Sequence, residues 1–149
     1  MEWVLQIVGI ITFAIPAFIG VLSYKKSVTY RRAQWLASLY RIFYERDQLK
    51  DVRGLMDSVE GRKEIEQIVK KELCERVKEI TYEEEKRLSE FTDYLNFFEF
   101  MLYLKEMSAL EEKDVKAMFD YHLRLFRESE VINRYIGKMG FLDGYLKKE

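Results

Sequence analysis

From Trp3 to Tyr24 the chain reads WVLQIVGIITFAIPAFIGVLSY, 22 residues without a charged side chain. At about 1.5 Å of rise per residue such a helix reaches roughly 33 Å, against about 30 Å for the hydrocarbon layer of a bilayer. A helix this long and this apolar is either buried on all sides or placed in lipid. Gln6, Thr12 and Ser23 are scattered singly and give no polar face. Trp3 and Tyr24 bracket the run, where amphipathic rings prefer to lie at a bilayer surface. The sequence therefore predicts a transmembrane anchor over residues 1–24.

Glu2 is the one charged side chain before the run, while Lys25, Lys26, Arg31 and Arg32 follow it within eight residues. A secretory signal peptide has the opposite arrangement, with cations first and a small-residue cleavage site after. Cations on the C-terminal side predict a single pass with the N-terminus outside and residues 25–149 in the cytoplasm. The same four side chains would lie among anionic lipid headgroups, at about 1 kcal/mol each. Pro16 removes a backbone donor and leaves the Thr12 carbonyl without its usual partner, which predicts a kink near Thr12. Thr12, Pro16 and Gly20 recur every four residues and form a narrow strip on which a second transmembrane helix could pack.

Beyond Tyr24 lie all 25 Lys and Arg and 25 of the 26 acids, so this part is formally neutral and no nucleic-acid partner is expected. It contains no Pro, holds five of the seven Gly and has no alternating apolar pattern. The fold class expected is all-α, an anchor helix followed by a bundle of about four to five helices. A first helix is expected over about Val28–Lys50, with Val28, Trp35, Leu39, Ile42 and Phe43 on one face. Residues 51–61 read as a weak helix or loop, and Ile65, Ile68, Val69, Leu73, Val77 and Ile80 mark a long helix with a narrow apolar stripe.

Thr81 with Glu84 has the spacing of a capping box, and so does Ser108 with Glu111. Between them Phe91, Tyr94, Leu95, Phe97, Phe98, Phe100, Met101, Leu102 and Leu104 spread over well over half the circumference, which predicts a central helix. Val115, Met118, Phe119, His122, Leu123 and Phe126 form the stripe of the next helix. A last helix over about Glu130–Lys138 is followed by Gly140 and Gly144 and an aromatic tail, Phe141, Leu142, Tyr145 and Leu146, expected to pack back onto the bundle.

The polar strip Thr92, Asn96, Glu99 and Tyr103 follows spacings of four, three and four residues and is therefore aligned on one side of its helix. Asn96, Glu99 and Tyr103 are the first ligand or polar-network candidates. A carboxylate among aromatics is either a polar anchor that fixes helix register or an acid with a raised pKa. His122, in an apolar stripe, reads as a hydrogen-bonded core histidine before it reads as an acid or base. One His and one Cys cannot build a His or Cys metal cage, Cys74 sits among charges, and no GxGxxG or GxxxxGK[ST] loop occurs. Neither a metal nor a cofactor is expected.

Leu95, Asn96, Phe97, Phe98 and Glu99, followed after a short turn by Leu110, Glu111, Asp114 and Phe119, resemble a family of small all-helical proteins of unknown function, many with one N-terminal span. Some members look like phage abortive-infection proteins, so the resemblance implies a tethered helical domain in antiviral defence. The residues themselves lead to a membrane-anchored interaction or sensor module without catalysis, with the bilayer and a protein partner or second copy as partners. Two other readings are an oligomeric effector that permeabilises the bilayer through packed spans, with Gln6 and Thr12 lining the path, and a small hydrolase using Glu99 with His122 or Tyr103.

Overall fold

The computed structural model describes residues 2–74 and 80–142, apart from the side chains of 2–14 and 17. Helix follows helix with short breaks: α1 (Glu2–Glu45), α2 (Asp47–Asp57), α3 (Val59–Leu73), α4 (Tyr82–Glu106), α5 (Glu112–Glu128) and α6 (Glu130–Met139). The class is all-α, with no strand among the described residues. The chain divides into two units, one ending at Ala37 and the other beginning at Ser38, so α1 contributes to both.

In the first unit α1 runs through Pro16, and Ile15, Phe18, Ile19, Val21 and Leu22 are all exposed. Among the described residues no helix is long and apolar enough to cross a membrane. The anchor expected over 1–24 falls mostly on side chains outside the description, as do Thr12 and the kink expected there.

In the second unit the final turns of α1 bury Leu39 and Phe43, whereas Ile42 between them is exposed, as are Val28 and Trp35 of the first unit. The apolar face expected along this helix is thus narrower, because only the residues that meet other helices are covered. The helix also ends earlier than Lys50: Arg46 takes an extended conformation, and α2 then uses Leu49, Val52 and Met56 as its buried stripe. Residues 51–61, expected to be a weak helix or loop, form the rest of α2 and the first turn of α3. Ser58 separates the two, extended at φ −95° and ψ 148°, and its hydroxyl accepts the Gly61 N–H at 2.9 Å. A serine at this position caps a helix rather than opening a loop.

Ile65, Ile68 and Val69 are buried as the narrow stripe requires, but α3 stops at Leu73 instead of running to Ile80. Val77 lies outside the described residues. The Thr81–Glu84 capping box is present: Thr81 Oγ1 accepts the Glu84 N–H at 3.3 Å, and Glu84 Oε2 accepts the Thr81 N–H at 3.1 Å. Lys71 of α3 also reaches Glu84 Oε1 and holds that carboxylate below its ordinary range, first through this hydrogen bond. The box expected at Ser108 is not formed. Ser108 has φ 57°, and α5 starts four residues later at Glu112, capped by Glu111, whose N–H donates to Asp114 Oδ2 at 2.9 Å. Ser129 caps α6 and donates to Glu66 Oε1 of α3 at 2.6 Å, tying two helices far apart in sequence.

Gly140 adopts φ 74° and closes α6 in the left-handed conformation that glycine enters at least cost. Leu142 then folds back and is buried, with Phe141 half-buried. Gly144, Tyr145 and Leu146 lie outside the described residues.

Two glycines respond in opposite ways to a methyl group. A Cβ on Gly61 would stand 2.5 Å from the Leu55 carbonyl oxygen and 2.7 Å from Leu55 Cα, backbone atoms that cannot move aside. Gly54, inside α2, has nothing within 4 Å. Gly61→Ala should destabilise the protein by about 1–3 kcal/mol, and Gly54→Ala should stabilise it by about 0.5–1 kcal/mol. Thermal unfolding followed by circular dichroism should therefore show melting shifts of opposite sign.

Candidate functional site

The densest grouping of polar and aromatic chemistry surrounds Phe43, in the last turns of α1. Its ring is wholly buried, with Tyr94 and Phe97 of α4 at centroid distances of 5.8 and 5.2 Å and Phe119 and His122 of α5 at 5.2 and 5.0 Å. Carbonyls in the final turn of a helix lack the N–H groups of a following turn. Arg53 of α2 supplies one, donating from Nη1 to the Phe43 carbonyl at 2.6 Å while its guanidinium lies 4.5 Å from the Tyr44 ring centroid.

His122 is buried and its Nδ1 lies 2.9 Å from the Tyr94 hydroxyl. A neutral imidazole has one donor and one acceptor nitrogen, so either tautomer makes this bond. Burial holds the His122 pKa below its ordinary value; the charge of Asp57 opposes that and Arg53 adds to it. Burial likewise raises Tyr94 well above its ordinary value, with Asp57 adding to it. The pair is thus uncharged near neutrality, and His122 is the hydrogen-bonded core histidine expected from its place in the stripe.

The polar strip lies elsewhere. Asn96, Glu99 and Tyr103 are exposed on α4, and Thr92 is half-buried, donating to the Leu88 carbonyl at 2.9 Å with Tyr135 Oη 3.4 Å away. Phe100, expected in the core, is 47% exposed. At 100° per residue the buried positions of α4 cover about half the circumference; through that half α4 packs against α2, α3 and α5, and its rings also meet Phe43 of α1 and Tyr135 of α6, the central place expected of it. Glu99 is about 140° around α4 from Tyr94, the partner of His122, so packing does not unite Glu99 with His122. Of the aromatics beside Glu99 in sequence, Phe98 is buried and Phe100 is exposed with it on the outer face.

In the first unit Lys25, Lys26 and Arg31 are exposed, Arg32 is half-buried, and Pro16 and Gly20 are exposed. Arg31 Nη2 donates to Ser27 Oγ at 3.2 Å. Among the described residues no group of three or more His, Cys, Asp or Glu is placed to hold a metal ion. The tyrosine partner of His122 and the Arg53 cap were not read from the sequence; the Tyr94 position in the same apolar face as Phe98 was the available signal, but pairing across 28 residues is not legible in a pattern.

No protein-family model, no curated protein and no solved structure matches this chain.

The His122 pKa gives the sign of a pH effect. A buried imidazole with a lowered pKa binds its proton less well folded than unfolded, so its contribution is complete above about pH 6.5 and is lost as pH falls below that value. Stability should fall by up to about 1.4 kcal/mol per pH unit there from this one group. His122→Gln should be less stable near neutrality yet lack that acid-side slope in denaturant titrations run from pH 7.5 to 5. Tyr94→Phe should cost about 1–2 kcal/mol at pH 7.5 by leaving His122 Nδ1 unpartnered.

Proposed function

We propose that the chain is a single-pass membrane protein whose residues 25–149 face the cytoplasm and serve as a helical interaction or sensor module, without catalysis, for a protein partner or a second copy. The observation that carries this reading is the distribution of charge: 22 uncharged residues flanked by aromatic rings, then four cations within eight residues. The outer face of α4 supplies a surface for a partner, since Phe100, Tyr103 and Met107 are exposed at spacings of three and four residues beside Asn96 and Glu99. Aromatic and Met side chains are enriched where proteins meet.

Cys74 is exposed and is the one cysteine of the chain, which makes it a topology probe. In spheroplasts of a bacterial expression host, a membrane-impermeant maleimide should leave Cys74 unlabelled until the membrane is permeabilised. Glu2→Cys in a Cys74→Ser background should label without permeabilisation. Alkaline carbonate should fail to extract the protein, and Phe18→Asp with Ile19→Asp should release it. Extraction of the unaltered chain would end the reading, and labelling of Cys74 from outside would reverse its orientation.

A further inference from the structure

Leu22, Lys25, Lys26, Thr29, Tyr30 and Ala33 follow one another at alternating spacings of three and one, and so share one face of α1. They line a shallow concavity of about 460 Å³. The exposed Thr29 hydroxyl on this face donates to the Lys25 carbonyl at 3.0 Å. Among the described residues neither lysine is paired with a carboxylate, and Arg31 lies about 180° around the helix from Leu22.

Charge selects the occupant. From Trp3 to Tyr44 the chain has no acid and five cations, Lys25, Lys26, Arg31, Arg32 and Arg41. A second copy laid parallel on this face would oppose cation to cation, which is unfavourable. An anionic group is favoured, and the lysines come one and two residues after the uncharged run ends, the level at which lipid phosphates lie if that run spans the bilayer.

We propose that the Leu22, Lys25, Lys26, Thr29 and Tyr30 face of α1 is a binding site for the headgroup of an anionic phospholipid. The two ammonium groups meet the phosphate, the Tyr30 phenol donates at the rim, and Leu22 meets the first methylenes of the acyl chains. The site rests on the membrane-tether reading. It differs from general attraction of a polybasic segment in using two of the cations by position and not all of them by charge.

Full-length protein in nanodiscs of mixed phosphatidylglycerol and phosphatidylcholine tests it, with retained lipid counted by native mass spectrometry. The wild type should retain phosphatidylglycerol in preference. Lys25→Gln with Lys26→Gln should reduce that preference roughly 25-fold, at about fivefold per cation. Arg31→Gln with Arg41→Gln, which removes the same charge, should leave the preference within about twofold. Absence of a preference in the wild type, or equal losses in the two double variants, would overturn the site while leaving the tether standing. A double-stranded oligonucleotide that displaces the retained lipid at equal charge concentration would overturn it in favour of a nucleic-acid face. Failure of the wild type to enter nanodiscs of phosphatidylcholine alone would overturn the tether, and the site with it.

Discussion

The second unit is organised by the burial of one ring. Phe43 is wholly covered, and beside Arg53 of α2 the rings that cover it come from two helices that begin more than 35 residues further along the chain. Burying a phenyl group contributes about 1.5–3 kcal/mol, and each well-placed aromatic contact adds about 0.5–1.5 kcal/mol. Phe43 touches Phe98 as well as the four rings of its immediate cage, and Phe98 in turn packs edge-on against Phe119 and Phe126. The ring is therefore shared between α4 and α5. Its carbonyl is taken by Arg53, so the same residue also fixes where α1 gives way to α2.

That dependence explains which elements were legible in the sequence. The class, the Thr81–Glu84 cap, the α6 span and the buried histidine all follow from local chemistry: period, hydroxyl-to-carboxylate spacing, a polar residue inside an apolar stripe. The break at Arg46 does not. No Gly, Pro or capping side chain stands there, and Arg46 has no side-chain cap bond. The helix ends because Phe43 must enter the core and Leu49, Val52 and Met56 must follow it, a tertiary requirement that propensity does not encode. Ser58 shows the reverse case, a local capping signal inside a stretch read as a weak helix or loop, whose hydroxyl starts α3.

The candidate site was legible in its members and not in their arrangement. Apolar residues occupy both sides of α4, so pattern alone gives no means of deciding whether Phe100 or Phe98 is covered. The structure buries the arc from Leu104 through Phe98 to Leu95 and leaves Asn96, Glu99, Phe100 and Tyr103 outward. Once the covered arc is known, the strip ceases to be an interior network and becomes a polar and aromatic surface. His122 keeps the interior role, since a buried donor and acceptor require a partner and Tyr94 is the residue within reach.

The formal neutrality of residues 25–149 conceals a segregation with physical consequences. Residues 3–44 hold five cations and no acid, and residues 45–149 hold 20 cations against 25 acids, a net charge of +5 followed by −5. An anionic surface attracts the first segment and repels the second, over a distance set by a screening length of about 8 Å at physiological salt. A chain that carried the same totals in mixed order would have no such preference. The segregation of charge, five cations without an acid and then a net acidic remainder, is the property of the sequence on which the proposed membrane tether draws.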